Sequence, residues 1–385
     1  MLNTLVSNAE QRLRQIEQAR QAVLLEGRPM PLVGSESWIE RSWQRCLSGG
    51  QRPDQPVAFD VISRPALKHI EEVNHALLTA ARPVLDKLGR AIADTRYFAI
   101  LTNAEGVVVD VGGPIDRSDR RADLISRIGV NLSEQSVGTT AIGAALAELQ
   151  PVWLHRGEHF RSDNAAFSCA GAPLFGPDGL CVGMLDLTGI DVVERPELKH
   201  LVSQSARSIE NALTLERSHS LLVRLNWPGR HLGDDADGLV CLDADGWISG
   251  ANQAAREMIM QLMPVPGAPR MRLHSTDVFA LPYEMLFDAA RHQTHSSQGP
   301  MEVPLWSGLR LHALALAPGQ SMHRSARGST AAVSAEAKPL WDVETELIHK
   351  AVSAARGNVM QAARELGISR ATVYRKLGKK PAGRS

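Results

Sequence analysis

Nine Lys and Arg side chains and a single acid, Glu365, fall between Lys350 and Ser385. Such a run attracts phosphate. The remaining residues hold 33 basic and 41 acidic side chains, so a net charge of zero hides a basic end on an acidic body. Inside that end, Ser369 caps a short predicted helix whose outward residues are Arg370, Ala371, Thr372, Tyr374, Arg375 and Lys376. Arginine at the start of a helix laid in a DNA major groove can pair two donors with one guanine, and threonine can reach a base edge. Arg375 and Lys376, further along, suit phosphate contacts, which position a protein on the duplex.

A second set could hold a small molecule: Thr140, Trp153, His155, His159, Phe160, Phe167 and Cys169. Aromatic walls with a few polar heads are the usual make-up of a ligand pocket. His155, His159 and Cys169 are also metal-ligand types, but they lack the tight spacing of a zinc site, and no metal or cofactor is expected. The four cysteines are scattered with no C-x-x-C pair, which suits a reducing cytoplasm.

These residues need elements to hold them. Before the basic helix, DVETELIHKAVSAAR reads as one amphipathic helix and VMQAAREL as a second, with Gly357-Asn358 between them. Gly367 ends the second, and the small Ala363 lets the helices cross closely. Cap, small residue, glycine, cap and basic helix in that order predict a helix-turn-helix. Upstream, YFAIL and VVVDV flank Asn103-Ala104-Glu105-Gly106, a hairpin signal. A helix over Ala141–Leu146, strands at Pro151–Leu154, Ala170–Leu174 and Cys181–Leu187, and a long helix from Glu194 to about Leu225 follow. Strands and an Asp245-Gly246 turn recur after Gly238, then a helix opened by Asn252, with later strands at Met301–Val303 and Leu309–Leu316.

The chain is therefore predicted to be an α+β multidomain protein. It has a helical region at 1–89, an antiparallel-sheet sensor at 90–215, a connecting helix and linker at 216–235, a second sheet domain at 236–317, a Ser/Ala/Gly-rich flexible linker at 318–340, and an all-α segment at 341–380. No apolar run reaches the roughly 18–20 residues that span a bilayer, and the N-terminus has no apolar core of a signal peptide. A cytoplasmic location is expected.

NVMQAARELGISRATVYRKL resembles the Fis-type helix-turn-helix of bacterial regulators. SWQRC (Ser42–Cys46), ISRPALKHI (Ile62–Ile70), VGTTAIGAALAE (Val137–Glu148), GEHF (Gly157–Phe160) and GMLDLTG (Gly183–Gly189) resemble the N-terminal region of acetoin-catabolism regulators, whose sensor is a GAF domain. Thr140 departs from the asparagine expected in that motif. The segment 236–317 is similar to the start of PAS domains, as a dimerisation or relay module. The resemblance implies double-stranded DNA and a small effector as partners, a homodimer on a palindromic site, and contact with RNA polymerase.

That family usually carries an AAA+ ATPase between sensor and helix-turn-helix. No G-x-x-x-x-G-K-[ST] loop and no GAFTGA loop occurs in this sequence. The expectation is a non-enzymatic transcriptional regulator that neither hydrolyses ATP nor remodels a sigma-54 polymerase. Two other readings are a co-regulator that pairs with an ATPase-bearing relative, and a GAF-fold thiol enzyme, which would need an exposed nucleophilic cysteine.

Overall fold

A computed structural model of the chain describes residues 2–27, 37–264, 271–293, 300–319, 352 and 359–361. Residues Met1–Gln320 form one compact unit that holds two five-stranded antiparallel sheets. The first contains β1 (Tyr97–Asn103), β2 (Val108–Gly112), β3 (Val152–His155), β4 (Phe167–Phe175) and β5 (Cys181–Ile190), in the order β2-β1-β5-β4-β3. The predicted hairpin closes where Asn103 Oδ1 accepts from the backbone N–H groups of Glu105 and Val107.

Side chains alternate across a strand, and this alternation divides the first sheet's two cores. Tyr97, Ala99 and Leu101 face one side with Leu185, Leu187 and Ala170. Helices α4 (His75–Ala91) and α8 (Leu198–Leu215) cover that side with Leu85, Leu88, Val202 and Ile209. Phe98, Ile100, Leu154, Phe167, Cys169 and Met184 face the other. There they meet α2 (Ser37–Ser48), α5 (Arg120–Ile125), α6 (Glu134–Val137) and α7 (Ala141–Glu148). Helix α3 (Arg64–Val73) precedes α4 and is capped by Ser63, whose hydroxyl accepts from Ala66 N–H. Gly143 lets α7 lie against α6, because a Cβ there would stand 2.8 Å from Glu134 N. The N-terminal α1 (Leu2–Arg20) runs into a π-helical turn, Gln21–Leu25, that buries Val23 in the same core as Trp43.

The second sheet departs from expectation. The helix predicted from Glu194 to about Leu225 stops at Leu215, and Leu221–Asn226 is instead strand β6. It is the central strand of the order β8-β7-β6-β10-β9, with β7 (Gly238–Leu242), β8 (Ile248–Ala251), β9 (Met301–Pro304) and β10 (Arg310–Leu316). The predicted connecting segment 216–235 is thus part of the second domain. A short apolar run such as LLVRL does not by itself separate helix from strand, and pairing on both edges decided it. Helices α9 (Gln253–Met258), α10 (Ser275–Val278) and α11 (Tyr283–Gln293) complete the domain. Asn252 opens α9 as predicted, accepting from Ala255 N–H at 2.8 Å. It also donates to Asn211 Oδ1 at 2.7 Å, joining the second sheet to α8.

Ser321–Ser385 is a second unit, in which helical backbone is described at Val352 and 359–361. The predicted helix-turn-helix residues Ser369, Arg370, Ala371, Thr372, Tyr374, Arg375 and Lys376 lie outside the described residues, as does the linker from 320 to 340.

Candidate functional site

On the α7 side of the first sheet a cavity opens between the strands and the loops that follow β3. It measures about 300 Å³ with its mouth included, and its closed part has room for about one water molecule. Four predicted residues line it: Thr140, His159, Phe167 and Cys169. Three do not. Trp153 and His155 sit on β3 at the parity opposite to Leu154, so the strand turns them to the α8 side, where their rings stack 6.4 Å apart. Phe160 is wholly buried in the core beside Gly138.

The sequence reading missed Asp186 and Thr188, which line the cavity from β5, and Asn164 from the loop before β4. Phe59, Ile125, Leu132, Ala141 and Ile142 supply its apolar wall. A signal existed for Asp186: a lone acid inside the apolar run GMLDLTG is costly unless it is used.

His159 is held from behind. The Arg20 guanidinium donates to the carbonyls of Gly157 (2.8 Å), His159 and Phe160 (3.1 Å). Arg12 pairs with the buried Glu158 at 2.9 Å, and Trp43 Nε1–H donates to Glu158 O at 2.9 Å. The SWQRC and GEHF motifs therefore meet, and their joint task is to fix the segment that carries His159. Burial pushes the Glu158 carboxyl up to about 7, against the opposing pull of Arg12.

His159 Nδ1 lies 2.9 Å from Arg156 O. A carbonyl only accepts, so Nδ1 carries the proton. Burial lowers the ring's pKa to about 4, which leaves it neutral and Nε2 a lone-pair acceptor. Nε2 is buried with no hydrogen-bond partner. Thr188 donates its hydroxyl to Asp186 Oδ2. That commits the single Thr188 proton, so the Cys169 thiol, 3.5 Å away, donates to Thr188 Oγ1. The other carboxyl oxygen, Asp186 Oδ1, is buried without a partner. Burial raises the Asp186 carboxyl to about 7. Thr140 caps α7, accepting from Gly143 N–H at 3.2 Å.

Cys169 is buried, and burial raises its thiol well above the usual range. A thiolate nucleophile needs the reverse. Among the described residues no group of three or more His, Cys, Asp or Glu is arranged to hold a metal, and no helix is long and apolar enough to cross a membrane.

Comparison with known proteins matches two parts of the chain. Residues 14–211 match the family described as MimR, N-terminal domain, and residues 339–379 match the bacterial regulatory protein, Fis family. The acetoin catabolism regulatory protein of Cupriavidus necator is 31% identical over 268 residues, covering 67% of this chain and 38% of that protein. MimR of Mycolicibacterium goodii, a propane 2-monooxygenase operon transcriptional activator, is 28% identical over 51% of this chain and 33% of its own. The chain spans between a third and two fifths of the length of these relatives. A crystal structure of the Escherichia coli DhaR(N)–DhaL complex aligns with a TM-score of 0.44 at 16% identity, over 73% of this chain and 99% of that one. With the MimR N-terminal domain matched over 14–211 and the Fis family over 339–379, the chain belongs to the family of MimR and the acetoin-catabolism regulators.

Proposed function

We propose that the protein is a ligand-responsive DNA-binding transcriptional regulator that works without ATP hydrolysis. The observation that carries the reading is the Fis-family match on the chain's basic end, where nine basic side chains face one acid. Ser369, Arg370, Ala371, Thr372 and Tyr374 read or abut base edges, and Arg375 and Lys376 hold phosphate. A homodimer would place two such helices on a palindromic operator. RNA polymerase is the partner through which an activating form would act, in the cytoplasm.

The sensory half of the proposal rests on the cavity under the first sheet. Buried polar groups are almost always paired, and each exception calls for a reason. Among the exceptions in the described residues, His159 Nε2 and Asp186 Oδ1 belong to residues lining one cavity. A small effector that satisfies them accounts for both. The second sheet, PAS-like in this reading, serves as a relay between sensor and DNA-binding end. Helix α8 packs on the first sheet and bonds to Asn252 of the second, which gives such a relay a path. The test is operator binding by the full chain. Genome-wide occupancy should yield palindromic sites, and the purified protein should bind them with strong salt dependence. Equal affinity for operator and random DNA at all salt concentrations would overturn the reading.

A further inference from the structure

The cavity's polar groups restrict what can bind there. His159 Nε2 is an acceptor, because its ring partner Nδ1 holds the proton against Arg156 O. Asp186 Oδ2 is occupied by the Thr188 hydroxyl, which leaves Oδ1 as the open face of the carboxyl group. Both residues are 1% exposed and both line the cavity. No Lys or Arg is among the lining residues. An anion entering would lose its hydration and meet a carboxyl group and a lone pair with no compensating cation. Once Asp186 is ionised, above about pH 7, a molecule with acceptors alone would leave the two orphaned atoms as they are. The remaining surface, from Phe167, Ile142 and Leu132, is apolar and short.

We propose that the site takes a short-chain molecule whose head group donates hydrogen bonds, a hydroxyl or an ammonium, to Asp186 Oδ1 and His159 Nε2, and that it rejects carboxylates and donor-free ketones. This rests on the reading of the cavity as sensory. A hydroxyl pair satisfies the two acceptors as neutral donors. An ammonium does the same and also supplies the counter-charge that Asp186 lacks. Because the closed cavity is small, the body of the ligand is a few carbons, admitted by movement of the mouth rather than of the clamped His159 segment.

The test uses the full-length protein and four probe series of three to five carbons: 1,2-diols, 2-aminoalkanes, 2-alkanones and carboxylates. Calorimetry or ligand-observed NMR ranks them at about pH 8, where the Asp186 carboxyl is ionised. The diols or the amines should bind at least about tenfold more tightly than the ketones and acids, the size expected for hydrogen bonds to a charged or buried partner. Preference between the first two series decides which head group is used. In Asp186→Asn the amide oxygen still accepts from Thr188, which turns the amide NH2 to the position of Oδ1. That variant should lose the tighter series and gain on the ketones. Its melting temperature shows that it is folded. Ketones or acids binding as well as the donors, or an unchanged ranking in Asp186→Asn, would overturn the inference while the sensory reading stands. Failure of every series to bind the wild type would overturn the sensory reading itself, and the inference with it.

Discussion

The two sheets of the first unit have the same number of strands and the same antiparallel pairing, yet their buried aspartates, Asp237 and Asp186, are treated in opposite ways. In the second, Asp237 is wholly buried and fully engaged: Arg224 lies at 2.9 Å, Asn226 Nδ2 donates at 3.1 Å, and Gly233 N–H also donates. Asn252 is bonded to Leu239, Ala255, Asn211 and Asp237 backbone or side-chain atoms. In the first, Asp186 and His159 each keep one atom without a partner. Satisfied buried polar groups fix a fold, whereas unsatisfied ones reduce its stability. The contrast teaches that Asp237 and Asn252 are placed to hold shape, and Asp186 and His159 to receive something.

The contrast can be broken by paired substitutions. The largest effect belongs to the second sheet. Asp237→Ala leaves Arg224 without its buried partner and should cost about 3–5 kcal/mol in denaturant unfolding. Truncating Phe160, which the structure places in the core rather than in the cavity, should cost a similar amount, about 3–5 kcal/mol. Asp186→Asn should leave stability unchanged or raise it, since functional sites commonly sacrifice stability. If Asp186→Asn destabilises the protein as much as Asp237→Ala, the two sheets do not differ in the way described.

Acidity sharpens the same comparison. The Asp186 carboxyl is raised to about 7 by burial, well above the usual carboxylate range. A raised acid holds its proton in the folded state, so its contribution is fully present below the unfolded pKa and is lost as pH rises through the folded one. Melting temperatures of wild type and Asp186→Asn should therefore diverge between pH 4 and 7, with the variant gaining relative stability as pH rises. Glu158, raised to about 7, adds to the wild-type trend in the same direction but is common to both proteins and cancels in the difference. His159, lowered to about 4, acts oppositely, supporting the fold above pH 6.5 and losing that support as pH falls. A difference that stays flat from pH 4 to 7 would show that Asp186 is not desolvated.

At the DNA-binding end the expected effects are smaller. Arg370→Ala should cost about 1–3 kcal/mol and relax preference at one base position, while Lys376→Ala should weaken all sequences alike and lower the salt slope by about one. Equal loss of specificity from both would sink the assignment of roles. No ATP turnover should be detectable above background, because no phosphate-cradling loop occurs in the sequence.

Much of the first sheet was legible, because its strands alternate cleanly and its turns carry Asn-Ala-Glu-Gly and Gly-Pro-Asp-Gly. The ligand residues were harder to read. Trp153 and His155 look suited to a pocket by type, but a strand's two faces differ by one residue of parity, and the sequence does not say which face holds the cavity. Asp186 was overlooked inside a family motif, although a charge in an apolar strand is the stronger clue. Strand β6 is hard to read because the Leu-rich run 221–225 has no helix-specific period and its partners lie up to 94 residues away, as Leu316 pairs with Leu222.

The central claim is that the cavity of the first sheet governs transcription through the DNA-binding end of the chain. Its most direct measurement is promoter output, with and without the inducing metabolite, in strains carrying wild-type protein or His159→Ala, alongside melting temperature and operator affinity of the purified proteins. The account predicts a folded variant with operator affinity near wild type and no response to the metabolite. A variant that responds as the wild type does would contradict it.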